Sequence, residues 1–153
     1  MKHLAKIAVA LAALSIGATS SRAHEKHGHE SFSAGEPGDP SKPSRTIEVE
    51  LKEMDFTPSR IEVKRGEQIR FVIRNAGIED HEFLLATTAE NLKHAELMKK
   101  FSKMEHDDPN GVRVVPKTSA EILWKFTKAG TFEYSCLIPD HRDYGMIGHV
   151  TVK

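Results

Sequence analysis

Apolar residues recur at every second position through much of this chain, in Ile47-Val49-Leu51, Ile61-Val63, Ile69-Phe71-Ile73, Ile122-Trp124-Phe126 and Phe132-Tyr134-Cys136. Side chains two apart share a face of a strand, so each run offers one face to a core and the other to solvent. Further strands are expected at Val112 to Val115 and Ile147 to Val152, and Gly66-Glu67 reads as a hairpin turn between two runs. Short strands separated by Gly, Pro and Asn predict an all-β antiparallel sandwich. One segment breaks the pattern. Ala89, Leu92, Leu97, Phe101 and Met104 recur at spacings of three to five, so a single inserted helix is expected around residues 88–105. Thr88 is its expected cap, Met104 is expected in the core, and Asp107-Asp108-Pro109-Asn110-Gly111 ends it.

The two ends of the chain differ from this middle. Basic Lys2 and Lys6, an apolar stretch from Ile7 to Ala18 and the small-residue site Ser21-Arg22-Ala23 predict a signal peptide over 1–23 and a periplasmic mature protein. The stretch is about 12 residues, short of the roughly 18 a bilayer span needs, so no membrane span is expected in the mature chain. Residues 24–44 are rich in Pro, Gly, Ser and charge and are expected to form a flexible His-rich tail, leaving 45–153 as one domain. Cleavage after Ala23 removes Lys2, Lys6 and Arg22 and no acid from a balanced 22 against 22, leaving a net charge of −3. That balance argues against nucleic acid as a partner, which requires a basic face.

Cys136 is the only cysteine, in a chain expected to be exported, where thiols are usually spent in pairs. It closes the run Phe132-Tyr134-Cys136, and His141 and Met146 follow at five-residue steps, with Pro139 and Gly145 shaping the loop between them. A thiolate, an imidazole and a thioether are three of the four ligands of a type 1 copper site, in which a trigonal His2Cys set is capped by a weak, long Met. His81, between a strand and the apolar run Phe83-Leu84-Leu85, is the candidate fourth ligand. The alternatives for Cys136 are an inert buried thiol or a nucleophile with a His base, and no oxyanion-hole motif accompanies the second.

With these residues in place the chain resembles the cupredoxins, over about residues 45–153, from Met54-Asp-Phe56-Thr-Pro58 and Ile61-Glu-Val63-Lys-Arg-Gly66 to Gly148-His-Val150-Thr-Val152. Its ligand loop is similar in spacing to rusticyanin and auracyanin, and the His-rich segment ahead of one domain resembles exported bacterial copper-tolerance cupredoxins. The resemblance implies a Greek-key β-sandwich and one type 1 copper ion on His81, Cys136, His141 and Met146. It also implies that His141 lies near the surface, within a partly apolar patch of Ile138, Pro139, Tyr144 and Gly145, and passes electrons to a protein partner. Many cupredoxins follow the upstream histidine with Asn or Ser; here Glu82 stands there.

Additional copper is conceivable at two places. His24, His27 and His29 form a short His-rich tract of the kind that binds metal. His94 and Met98 share a helix face, with Met104 and His106 following. The expected function is a monomeric, periplasmic type 1 copper protein that cycles Cu(II)/Cu(I) in copper tolerance and handling, with a redox or copper-exchange partner. The alternative is a soluble electron carrier between respiratory partners. An enzyme is not expected: Ser135 and Leu137, rather than histidines, flank Cys136, though weak oxidation of copper(I) is conceivable.

Overall fold

The computed structural model describes residues 32–101 and 108–153. Ten strands and one helix run in the order β1 (Glu36–Pro37), β2 (Arg45–Lys52), β3 (Asp55–Thr57), β4 (Arg60–Val63), β5 (Gln68–Asn75), β6 (His81–Ala86), α1 (Thr88–Lys100), β7 (Gly111–Val114), β8 (Ser119–Lys125), β9 (Gly130–Ser135) and β10 (Ile147–Val152). They form two five-stranded sheets, ordered β1-β8-β5-β2-β3 and β4-β10-β9-β6-β7. The inward residues are those the alternation marks: Val49, Leu51, Ile61, Val63, Ile69, Phe71, Ile73, Ile122, Trp124, Phe132 and Tyr134 are all buried.

Two readings of the chain's order are corrected. The sandwich is mixed rather than purely antiparallel, since β2 pairs β5 and β4 pairs β10 in parallel. Gly66-Glu67 is accordingly no hairpin: it carries the chain from β4 in one sheet to β5 in the other. Alternation marks which side chains face inward, and is blind to which sheet a strand joins.

The helix is capped by Thr87, one residue before the expected cap. Its hydroxyl accepts from the Glu90 N–H while the Glu90 carboxylate accepts from the Thr87 N–H, a reciprocal capping box. The helix buries Asn91 and Met98 and leaves Leu92, Leu97 and Phe101 exposed, the opposite of the expected stripe. The cause is its bed, for α1 lies on β9 and β6 where Glu133 and Ser135 point outward. Asn91 Nδ2 donates to both the Glu133 carboxylate and its carbonyl. Met104 falls outside the described residues, as do the signal segment and the tract His24, His27 and His29.

The part of the expected tail from Phe32 onward lies against the sheet. Ala34 is fully buried, the Trp124 indole N–H donates to its carbonyl at 3.3 Å, and Phe32 meets Trp124 edge to face. One buried alanine and one aromatic contact supply the apolar anchor that composition averaged away.

Between the sheets Phe83 stacks on Tyr134 with centroids 5.1 Å apart, and both rings meet Phe56 edge to face. Phe83→Ala should destabilise the fold by about 3–5 kcal/mol. Urea unfolding should show this as a lower midpoint with an unchanged slope.

Candidate metal centre

His81 opens β6 two residues before Phe83, and Cys136 follows β9 two residues after Tyr134. The stacked rings therefore lie directly beneath both side chains. The loop into His81 is held by Asn75, which is fully buried. Its Nδ2 donates to the Glu79 carbonyl at 2.7 Å and the Val114 carbonyl at 2.8 Å, and its Oδ1 accepts from the Gly77 N–H at 2.9 Å. Glu53 braces the same loop from outside by accepting the N–H groups of Ile78 and Glu79.

The loop after Cys136 folds back on itself. The Cys136 N–H donates to the Met146 carbonyl at 3.2 Å, the Met146 N–H to the His141 carbonyl at 3.1 Å, and the His141 N–H to the Ile138 carbonyl at 3.1 Å. Gly145 makes the return at φ 100°, a conformation that suits glycine. Met146 is fully buried in the same apolar cluster as Cys136.

The ligating atoms of His81, Cys136 and His141 all lie within 4.8 Å of one another, and among the described residues this is the one such group of His, Cys, Asp or Glu side chains. The Cys136 sulfur is 3.3 Å from His141 Nδ1 and accepts the Glu82 N–H at 3.3 Å. Outward, His141 Nε2 is 3.3 Å from the Glu79 carboxylate, and His81 Nε2 is 3.9 Å from Glu53. A carboxylate behind the far nitrogen of a ligating imidazole is the usual means of fixing its tautomer and orientation. Both ring nitrogens of fully buried His81 lack a hydrogen-bond partner. An orphaned buried base beside a thiol and a second imidazole fits a thiophilic cation, which would satisfy it.

Burial, then the neighbouring His141, pushes the His81 pKa down, so that the imidazole is neutral and able to bind metal. Burial pushes the Cys136 thiol up to about 12 against the opposing pull of the Glu82 and Ile138 N–H groups.

The structure thus brings His81, Cys136 and His141 together, with Met146 buried alongside. On the helix, Met98 is fully buried and His94 half-buried. His94 lines a cleft of about 340 Å³ with Glu90, Asn91, Asp108 and Asn110. His106 lies outside the described residues. Asn75, Glu53 and Glu79 escape sequence reading because they act across loops; only the buried-type Asn at the start of Asn75-Ala-Gly hinted at a turn anchor.

Comparison with known proteins points to copper-binding proteins. Residues 44–153 match the family model of copper binding proteins, plastocyanin/azurin family. The chain is 45% identical over 148 residues to the copper-resistant cuproprotein CopI of Rubrivivax gelatinosus, covering 89% of this chain and 90% of that protein. It is 37% identical over 163 residues to the protein of the same name from Pseudomonas aeruginosa, covering 88% of each. The fold is that of the dithionite-reduced auracyanin of Roseiflexus castenholzii, with a TM-score of 0.62 at 19% identity over 73% of this chain and 99% of that one.

The pKa directions set a pH dependence for the metal-free protein. Above the ordinary thiol value of 9 the unfolded chain loses a proton that folded Cys136 keeps until about 12, so stability falls as pH rises through that window. Below the ordinary imidazole value of 6.5 the unfolded chain gains a proton that His81 resists, so stability also falls on the acid side. Thermal melts against pH should show both arms, and Cys136→Ser should remove the part of the alkaline loss that sets in near 9, leaving the loss above the ordinary phenol value of 10 that comes from Tyr134, whose hydroxyl burial also pushes up.

Proposed function

The chain belongs to the plastocyanin/azurin family of copper-binding proteins, and from that premise we propose that it holds one type 1 copper ion on His81, Cys136, His141 and Met146 in the service of copper resistance in the periplasm. The observation that carries this reading is the convergence of three ligating atoms within 4.8 Å around a His81 side chain whose ring nitrogens have no hydrogen-bond partner. Copper, when bound, supplies one-electron exchange between Cu(II) and Cu(I). Everything else is the work of the chain. His81, Cys136, His141 and Met146 would hold the ion, and a set of two imidazoles, a thiolate and a thioether lies between the preferences of the two oxidation states. Burial of all four residues keeps water away, and the two hydrogen-bonded loops hold the set still. Small rearrangement on electron exchange follows from that rigidity.

Metal binding requires the thiolate, and a thiol pushed up to about 12 is protonated at neutral pH. Uptake of copper should therefore release a proton from Cys136, read in weakly buffered solution with a pH indicator. Cys136→Ser should abolish both that release and the intense thiolate-to-copper absorption band. A mutant that keeps the band would overturn the ligand assignment, and a deletion strain as copper-tolerant as its parent would overturn the role in resistance.

The carboxylates of Glu79 and Glu53 set negative charge outside both imidazoles, which favours the more positive oxidation state. Glu79→Gln should raise the reduction potential, measured by redox titration of the visible band.

A second reading, a soluble carrier with a redox partner, draws on the surface above His141. Ile78 is 77% and Tyr144 71% exposed, one on each of the loops leading to His81 and Met146, while Ile138 and Pro139 are half-buried beneath. Exposed apolar side chains at the mouth of a site suit transient docking. Tyr144→Lys should slow electron exchange in stopped-flow mixing while leaving the visible spectrum unchanged.

A further inference from the structure

Immediately after His141 the ligand loop makes a contact that the copper set does not use. Arg142 Nη2 lies 3.0 Å from each carboxylate oxygen of Glu133, a residue 2% exposed, and the arginine side chain is itself only 10% exposed. The same carboxylate accepts from Asn91 Nδ2 at 3.1 Å, and Asn91 is fully buried on α1. A second link joins the same elements on the surface, where Lys99 of α1 approaches Asp143 at 3.8 Å.

Taking an ion pair out of water is costly, and apolar residues of similar volume are often as stable or more so. A pair of this kind is better explained by what it positions. Glu133 sits on β9 three residues before Cys136, in a strand registered against both β6 and β10. Its carboxylate is thus a fixed point, and Arg142 Nη2, shared between the two Glu133 oxygens while the buried Nε has no hydrogen-bond partner, ties the loop to that point where it leaves His141. From that point the loop continues through the Gly145 N–H to the Arg142 carbonyl, and on to Met146.

We propose that Asn91, Glu133 and Arg142 are positioning residues for the copper centre, through which α1 braces the His141 side of the ligand set. This rests on the copper assignment above. The brace acts on His141 and Met146, leaving His81 to Asn75. Loss of the brace frees the one side of the centre that the Phe83–Tyr134 stack does not support.

The test compares the wild-type chain with Arg142→Lys, which keeps the charge and loses the planar guanidinium, and with Glu133→Leu/Arg142→Met, which replaces the pair by apolar volume and preserves the fold if the single variant does not. Visible absorption and electron paramagnetic resonance of the copper(II) form report ligand geometry, which a purely structural role would leave unmoved. The expected result is one copper bound per chain with a changed charge-transfer band pattern, and copper(II) affinity lowered roughly 10- to 100-fold in the double variant, the loss typical of outer supports of a metal site. Arg142→Lys should fall between the two. Wild-type spectra and affinity in a folded double variant would overturn the brace while leaving the copper centre intact. Retention of the band in Cys136→Ser would instead overturn the centre itself, so the two failures are distinguishable.

Discussion

The face-to-face contact of Phe83 and Tyr134 is the dimension from which the metal centre is built. One ring lies two residues beyond His81 and the other two residues before Cys136, so the separation of the rings sets the separation of the ligands above them. Burial of large aromatic surfaces supplies much of the drive to close the sandwich, and offset rings add geometric preference to it. Phe56 meets both rings edge to face and Phe71 leans on Phe83, so the spacing is enforced from the opposite sheet as well. A hydrophobic core here does more than stabilise; it acts as the gauge block for a polar site at its end.

Above that core, the chain solves two separate holding problems with different means. The loop before His81 is pinned by one buried amide, Asn75, which satisfies backbone groups on either side of the turn. The loop after Cys136 is pinned by its own main-chain bonds and by a buried ion pair reaching to the helix. On the His81 side the buried amide is joined by the exposed Glu53 carboxylate, which accepts two backbone N–H groups. The more expensive buried charged contact stands on the His141 side.

How much of this was legible in the sequence follows from the range of each interaction. Cys136, His141 and Met146 declare themselves because their spacing lies within one loop, and the period-two runs declare the inward faces because strand geometry is local. His81 could be placed by its position at the start of an apolar run. The partners Asn91, Glu133 and Arg142 could not be read, since nothing local marks a glutamate on a strand as buried before a helix is laid over it. The same covering helix explains the misread stripe: with polar groups beneath it, α1 turned Asn91 inward and Leu92, Leu97 and Phe101 outward. Gly66-Glu67 was misread because a turn residue signals a change of direction, whichever sheet comes next.

The short N-terminal strand β1 has a consequence for how copies of the domain meet. It pairs with β8 for two residues only, and the second of them is Pro37, which has no N–H to offer. Without it, β8 would present seven residues of open hydrogen-bonding edge, the kind of template on which a neighbouring chain adds a strand. With it, among the described residues, the Trp124–Lys125 end of that edge is closed by a stub that cannot propagate. A segment of two residues thereby shortens the edge open to a neighbouring chain.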